Sequence, residues 1–372
     1  MRQVKRAGKR KAGYAVIGLG HITQHAVLPA FKHARNAQLC AVVSSDEEKR
    51  KKIGRRYHCD AYGYEDLELC LARPDIDAVY IGEPNDKHAE FVLRCAKAGV
   101  HVLCEKPLAI SEEECLRMIS ACDEAGVRLM TAYRLHFEPV NLQVVKLIEQ
   151  GKIGELRYFT STFAYQIKPG NVRTSREHGG GAIWDLGVYC INAARYLFRA
   201  DPVEIFAMPV MRPKDPRFEE VHEGMSVLLK FEGNRTAQFT VSFGSAPQGD
   251  YRMVGTKGFV EVSNAYEYEA TRELHLVVGE KTLKRRFKQT DQFAPELIAF
   301  SKAVLDGTAL EPDGEEGLRD VRIIVAALKS AREGRPLHLS WPARKRRPEP
   351  GDRIVQPAIR PPPLVGVSAP AQ

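Results

Sequence analysis

The chain has 372 residues, 44% hydrophobic and 27% charged, which is typical of a globular protein with room for two domains. No apolar run approaches the roughly 20 residues that a membrane span needs. Residues 1–12 carry six Lys or Arg and no acid, and residues 343–372 carry six Lys or Arg and two acids. The two ends together therefore have a charge of +10, whereas the whole chain has a net charge of +8. The body between them is therefore about −2, and a basic face for nucleic acid is not expected.

The eight cysteines show no C-x-x-C pair and no metal-ligand spacing. In a chain of this size, that pattern indicates free thiols in a reducing compartment, and no metal site is predicted. The N-terminal segment is basic but lacks the apolar run of a secretion signal. We therefore expect a cytoplasmic protein with a disordered basic arm over residues 1–12.

The first half of the chain alternates strands with helices. Four mainly apolar residues, Tyr14–Ile17, run into Gly18-Leu19-Gly20 and then into an amphipathic stretch. Further strands are predicted at 38–43, 60–62, 77–81, 100–103 and 127–131, with helices at 46–56, 86–98 and 111–125. This alternation predicts a Rossmann-like, doubly wound parallel sheet within an α/β domain of residues 13–134.

The pattern changes after Arg134. A helix over 139–150 precedes alternating runs at 156–163, 225–231, 236–243, 258–262 and 274–278. They predict an open, mainly antiparallel sheet in an α+β domain of residues 135–342. Such open-faced sheets are commonly buried by self-association, so a homodimer or homotetramer is expected.

Three helices complete this half of the chain. One is predicted at 182–198, after Gly179–Gly181, a glycine run that would leave room for a ligand. Two closing helices, near 295–305 and 315–332, are expected to return to the first domain. From Ala343 the chain is Pro-rich and without periodicity, which predicts a disordered tail over 343–372.

The glycine turn is the first candidate binding element. Gly18 would let the chain turn sharply, and Gly20 would let the backbone approach a pyrophosphate at the helix N-terminus. Thr23 replaces the third glycine of the fingerprint, so an ordinary strand-to-helix turn is an equally good interpretation of this stretch alone.

The end of the second strand indicates which dinucleotide is bound. Ser44 and Ser45 stand where an acid would accept hydrogen bonds from a ribose 2′-hydroxyl, and Lys49 and Arg50 follow one turn later. Small hydroxyls with nearby cations suit a 2′-phosphate, although Asp46 and its neighbouring acids blur the signal. We expect NADP, with NAD possible.

Three further segments carry candidate chemistry. Glu105-Lys106-Pro107 ends a strand, where the lysine could polarise a substrate oxygen or simply pair with Glu105 on the surface. Asp185 and Tyr189 are four residues apart and share a helix face, where Tyr189 could carry a proton or be half-buried packing. The segment 84–88 follows another strand and is either part of the ligand crevice or a turn with His88 inside it.

In this order, the motifs resemble a known family over residues 13–340. They are Gly18-Leu19-Gly20, Pro84-Asn85 with His88, Glu105-Lys106-Pro107, Tyr133-Arg134 and Gly179-Gly-Gly-Ala-Ile-Trp-Asp185-Leu-Gly187. The chain resembles the Gfo/Idh/MocA family of sugar dehydrogenases. It is most similar to the glucose–fructose oxidoreductase branch, from which residues 168–178 differ, so the substrate stays open.

The resemblance implies roles for individual residues. Lys106 would be the catalytic lysine, Asp185 a substrate-binding acid and Tyr189 the proton donor or acceptor. Arg134 and Arg173 would lie near cofactor or substrate. The cofactor contacts would come from Gly18, Leu19, Gly20, His21, Ile22, Ser44, Lys49, Pro84, Asn85, His88, Glu105, Lys106 and Arg134.

The expected function is an NADP-dependent oxidoreductase that transfers a hydride between nicotinamide and a sugar or polyol. Two alternatives remain at this point. One is a glycosidase that holds NAD and cleaves by oxidation and elimination. The other is a non-catalytic dinucleotide-binding sensor, in which loss of the lysine at position 106 would be expected.

Overall fold

The first domain is built around a parallel six-stranded sheet. The structure, a computed structural model, describes residues 10–211, 214–344 and 347–371, so most of the expected basic arm lies outside the described residues. The strands are β1 (Ala12–Ile17), β2 (Ala37–Val43), β3 (Asp60–Tyr62), β4 (Ala78–Ile81), β5 (His101–Cys104) and β6 (Leu129–Thr131), in the order β3-β2-β1-β4-β5-β6. All neighbouring pairs are parallel, which confirms the doubly wound sheet.

Helices cover both faces of this sheet because its central strand is apolar on both sides. All six residues of β1 are buried, with Tyr14 and Val16 in one hydrophobic cluster and Ala15 and Ile17 in another. The helices are α1 (Leu28–Ala30), which continues a π-helical turn over Thr23–Val27, α2 (Glu47–Tyr57), α3 (Leu67–Leu71), α4 (His88–Lys97) and α5 (Glu112–Glu124). Ser111 caps the N-terminus of α5, since its Oγ accepts from the Glu114 amide at 3.2 Å.

The second domain is built on a nine-stranded sheet. Its elements are α6 (Pro139–Glu149), β7 (Leu156–Ala164), α7 (Val188–Phe198), β8 (Glu204–Val210), β9 (Gly224–Phe231), β10 (Arg235–Ser242), β11 (Gln248–Gly255), β12 (Gly258–Ser263), β13 (Arg272–Val278), β14 (Lys281–Phe287), β15 (Thr290–Asp291), α8 (Ala294–Asp306), α9 (Gly314–Glu333), β16 (Leu337–His338) and β17 (Gln356–Pro357). The order is β14-β13-β12-β11-β7-β10-β9-β8-β16, and a separate ribbon pairs β15 with β17. Strands β7 and β10 are parallel and the other neighbours antiparallel, which confirms a mainly antiparallel sheet.

The two closing helices return to the first domain, as predicted. From α8, Ser301 Oγ lies 2.8 Å from Tyr14 Oη of β1. From α9, Gly317 lies so close to β6 that a Cβ there would be 2.4 Å from Thr131 Oγ1. In the described part of the chain, no helix has the length and hydrophobicity to cross a membrane.

The Pro-rich tail differs from the disordered segment expected at 343–372. In the structure, residues 347–371 run along both domains with specific contacts. Arg347 is buried, with its guanidinium 3.0 Å from Glu316 Oε2 and 2.9 Å from Asp201 Oδ2. Strand β17 pairs with β15. The tail has no hydrophobic periodicity, and it is held by buried ion pairs, by backbone hydrogen bonds and by scattered apolar residues that pack against the core, namely Ile354, Ile359 and Val365.

Candidate active site

A cleft of about 610 Å³ separates the two domains at the carboxyl ends of the parallel strands. Most of the residues predicted for the site meet there, although they are up to 169 positions apart between Gly20 and Tyr189. Those that line the cleft are Gly20, His21, Ile22, Pro84, Asn85, Glu105, Lys106, Arg134, Arg173, Asp185 and Tyr189. The structure thus brings the glycine turn and the candidate catalytic side chains to one cavity.

The glycine turn fits a dinucleotide pyrophosphate. Gly18 has φ +88°, and a Cβ there would lie 2.7 Å from the Gly82 backbone at the end of β4. A Cβ on Gly20 would meet nothing closer than 3.8 Å, so Gly20 leaves an open cradle at the cleft. Leu19 points into the core and is 2% exposed. The turn therefore supplies what the fingerprint requires: a sharp bend and an uncovered backbone.

Gly82 accounts for the threonine in the third fingerprint position. A Cβ on Gly82 would lie 2.4 Å from Thr23 Oγ1, so the close approach of helix and strand is provided by a glycine on β4's side. In the part of the chain that the structure describes, the buried Thr23 hydroxyl has no hydrogen-bond partner. The small residue that the fingerprint places on the helix, at position 23, is thus found after β4 instead, at Gly82.

Ser44 directly follows β2 and Lys49 lies in the first turn of α2, and neither residue lines the cleft itself. Ser44 is 5% exposed, and its Oγ accepts from the Asp46 amide at 3.3 Å. Lys49 Nζ lies 3.5 Å from Asp46 Oδ2. The Arg50 guanidinium donates to the Ser44 and Ser45 carbonyls at 3.1 Å, so it braces this corner. A hydroxyl and an ammonium therefore flank the strand end where the adenosine ribose of a bound dinucleotide lies in such folds.

Lys106 pairs with Asp185 rather than with Glu105. Its Nζ lies 3.0 Å from both Asp185 Oδ1 and the Asp185 carbonyl. Burial, the largest single influence, lowers the pKa of Lys106, but the charges of Asp185, Tyr189 and Glu105 and the hydrogen bond to Asp185 together outweigh it, and the pKa is raised. Burial likewise opposes ionisation of Asp185, yet Lys106 and Arg173 hold the pKa of that carboxyl well below its usual range. The pair is charged at neutral pH.

Two more side chains complete the environment of Asp185. Arg173 Nε lies 3.1 Å from Asp185 Oδ2, and the Tyr165 hydroxyl donates to the same oxygen at 3.0 Å. Burial, followed by the charge of Asp185, raises the pKa of Tyr165 far above its usual value. Tyr165 therefore stays a hydrogen-bond donor. Nothing in the sequence marks this one aromatic residue just beyond β7, so Tyr165 was not predicted.

Tyr189 is half-buried between cations. The Lys106 ammonium lies 4.6 Å from the centre of its ring, and the Arg134 guanidinium carbon lies 5.0 Å from it. Phe163 meets the ring edge-on at 5.6 Å. Asp185 and Tyr189 both face the cleft, as their spacing predicted.

Two further predicted features hold the loops of this region in place. His88 does not reach the cleft: it is fully buried, and its ring nitrogens lie 3.0 Å from the Glu83 and Pro107 carbonyls, so it ties two site loops together. Within the glycine run, Gly179 lines the cleft and Gly180 serves packing. A Cβ on Gly180 would lie 2.5 Å from the Arg173 carbonyl, so this glycine lets the loop that carries Arg173 pack closely.

Comparison with known proteins identifies the family. Residues 12–133 match the profile described as oxidoreductase family, NAD-binding Rossmann fold (GFO_IDH_MocA), and residues 141–261 match the GFO/IDH/MocA C-terminal domain. The chain therefore belongs to the Gfo/Idh/MocA family of NAD(P)-dependent oxidoreductases.

Several relatives within this family are similar along nearly their whole length. An aldose–aldose oxidoreductase from Caulobacter crescentus, solved with glycerol, is 36% identical with a TM-score of 0.85, over 89% of this chain and 100% of that one. A 3-ketoreductase from Actinomadura kijaniata, solved with NADP and TDP-benzene, is 30% identical with a TM-score of 0.79, over 86% and 98%. A D-xylose 1-dehydrogenase (NADP(+)) from Haloferax volcanii is 31% identical over 88% and 99%.

Proposed function

We propose that this protein is an NADP-dependent oxidoreductase that transfers a hydride between nicotinamide and a sugar or polyol. The observation that carries the proposal is the charged Lys106–Asp185 pair beside Tyr189, in the same cleft as the open glycine turn. The three relatives described above act, by name, on aldoses, a keto group and xylose, which supports the substrate class.

Lys106, Tyr189 and Asp185 have different roles at the substrate oxygen in this proposal. When bound, NADP accepts or supplies the hydride at the nicotinamide ring. Lys106 donates a hydrogen bond to the reacting oxygen and stabilises the alkoxide that develops there. Tyr189 exchanges the hydroxyl proton as the carbinol becomes a carbonyl, or returns it in the reverse direction. Asp185 keeps Lys106 charged and accepts hydrogen bonds from a sugar hydroxyl.

The proposal of NADP rather than NAD rests on the end of β2. Ser44 directly follows this strand and Lys49 lies in the first turn of α2, in the region where an acidic residue would repel a 2′-phosphate. The D-xylose dehydrogenase from Haloferax volcanii is named for NADP(+), and the 3-ketoreductase from Actinomadura kijaniata was solved with NADP. Lys49→Glu should therefore weaken NADPH binding by about tenfold or more and leave NADH binding within about twofold, since it removes one phosphate contact.

The direct test is to look for cofactor absorbance in the purified protein and then to screen aldoses and keto-sugars with NADP(H) and NAD(H). The proposal expects turnover with at least one sugar and a preference for NADP(H). Cleavage of a glycosidic bond with no net change in cofactor, or no turnover of any sugar with either cofactor, would contradict it.

We further propose self-association through the open face of the nine-stranded sheet. Tyr158 of β7, Met208 of β8 and Leu228 of β9 are 46%, 59% and 46% exposed on the second domain. Burial of such side chains supplies the apolar area that a stable interface needs. Light scattering should therefore report a dimer or tetramer, and Leu228→Glu should shift it toward the monomer.

All eight cysteines are free thiols, which supports a reducing, cytoplasmic location.

A further inference from the structure

The last described residues of the chain cross the cofactor cleft. We call residues 363–371 the C-terminal strap. One end lies against the first domain, where the Arg56 guanidinium donates to the Pro363 carbonyl at 2.8 Å. The other end lies against the second domain, where the Lys168 amide donates to the Pro370 carbonyl at 2.9 Å and Ile167 forms a β-bridge with Ala371. The strap therefore bridges the two walls of the cleft.

The strap is held next to the glycine turn by one side chain. The Gln24 amide donates to the Val365 carbonyl at 3.0 Å and accepts from the Val365 amide at 2.8 Å. Gln24 is fully buried and also donates to the Leu19 carbonyl within the turn, at 2.8 Å. Since Gln24 satisfies both backbone groups of Val365, this position of the strap is specific.

The strap also passes both ends of the expected dinucleotide path. Gly366 adopts φ +61°, and a Cβ there would lie 3.3 Å from Lys49 Cε, beside the ribose end of the site. Residues Ala369, Pro370 and Ala371 line the same cleft as Lys106 and Tyr189. The strap therefore covers the length of the site while leaving a cavity of about 610 Å³ beneath it.

The segment that precedes the strap, residues 347–357, is itself anchored to the protein, so the strap is not a free end. Arg347 forms buried ion pairs with Glu316 and Asp201, and Ile354 donates its amide to the Phe137 carbonyl at 3.3 Å. Pairing of β17 with β15 then directs the chain toward the cleft. An anchored segment loses less entropy when it closes over a ligand than an unattached one does.

We propose that the C-terminal strap is part of the cofactor site and retains the bound dinucleotide between turnovers. This inference rests on the proposed NADP-dependent function. The strap spans the opening through which the dinucleotide enters and leaves, so release requires the Gln24–Val365 hydrogen bonds and the bridge at Ile167 to break. Removal of the strap should therefore accelerate release of NADPH more than it changes catalysis.

The test compares the full chain with a variant that ends at Pro362. Stopped-flow displacement of NADPH by excess NADP⁺ should show release at least about tenfold faster in the truncated protein, which is the loss of roughly 1.4 kcal/mol of retention. Val365→Pro removes the amide that Gln24 accepts from and should accelerate release, whereas Val365→Ala keeps both backbone groups and should not. Melting temperatures of all variants check that they are folded.

Hydrogen exchange supplies a readout that does not depend on activity. NADPH should slow exchange across residues 363–371 in the full chain. Equal release rates in the truncated and full chains, with NADPH binding intact, would overturn the strap's role and leave the proposed function standing. Faster NADPH association after truncation with unchanged release would show a blocking segment and also overturn it. Absence of NADPH binding in both proteins would overturn the proposed cofactor and the strap together.

Discussion

At the scale of single residues, the site depends on a lysine that stays charged while buried. An ammonium removed from water loses much of its solvation free energy, and a nearby carboxylate at hydrogen-bond distance replaces it. Asp185 does this for Lys106, and Arg173 and Tyr165 in turn satisfy the other oxygen of Asp185. The result is a donor held ready for a substrate oxygen.

The charge of Asp185 should be visible in the pH dependence of the reaction. In Asp185→Asn, burial is no longer opposed by that charge, so the pKa of Lys106 falls. Because the lysine must be protonated to stabilise an alkoxide, the alkaline limb of kcat should move at least about one pH unit lower. Tyr165→Phe, which keeps the carboxylate, should leave this limb in place. An alkaline limb unchanged in Asp185→Asn would show that another group sets it.

Substitution of the two cleft tyrosines, Tyr189 and Tyr165, should lower kcat by different amounts. Tyr189→Phe removes the proposed proton carrier and should lower kcat by about 10²–10⁴ without changing NADPH affinity. Tyr165→Phe removes one hydrogen bond to Asp185 and should cost about tenfold or less. Steady-state kinetics with NADPH titrations of both variants check this, and a larger loss for Tyr165→Phe would reverse the assignment.

At the scale of elements, the turn between β1 and the following helix carries two different requirements. Gly18→Ala places a side chain at φ +88° against Gly82 and should destabilise the fold by about 1–3 kcal/mol. Gly20→Ala has room for its methyl group and should leave the melting temperature nearly unchanged, while weakening NADPH binding. Thermal melts and NADPH titrations of the pair measure both effects. Equal melting temperatures would contradict the account of Gly18.

Some elements could be predicted from the sequence because their burial leaves a pattern. β1 is apolar throughout, and α5 begins at a capping serine. By contrast, β8, β11 and β14 were not predicted. β14 (Lys281–Phe287) is exposed over nearly its whole length, so its strand conformation comes from pairing with β13 rather than from an apolar face.

In the candidate site too, some residues could be predicted from the sequence and others could not. Lys106 and the glycine turn lie at strand ends, which a parallel sheet brings to one edge, so their meeting was predictable. Tyr165 and the C-terminal strap were not, because their positions depend on contacts with residues far away in sequence. Only the folded chain places Val365 beside Gln24.

At the scale of the whole molecule, a buried ionic cluster ties the second domain together and anchors the tail. Arg195 is fully buried and pairs with Glu316 at 2.8 Å, Asp320 at 2.6 Å and Asp201 at 2.7 Å. Arg195→Leu leaves these carboxylates with fewer partners and should destabilise the protein by about 3–5 kcal/mol. Urea unfolding measures the loss, with the exposed Arg157→Leu as control. A loss below 1 kcal/mol would contradict the cluster's role.

The proposed function requires Lys106 to act on a sugar oxygen while hydride moves to or from NADP in this cleft. The most direct measurement supplies the NADP⁺-loaded protein with an aldose deuterated at its reacting carbon and follows deuterium at the nicotinamide ring by NMR. We expect deuterium transfer from at least one aldose, and a transfer rate at least about 10²-fold lower in Lys106→Met with NADPH binding intact. No deuterium transfer from any aldose or polyol, or an unchanged rate in Lys106→Met, would contradict it.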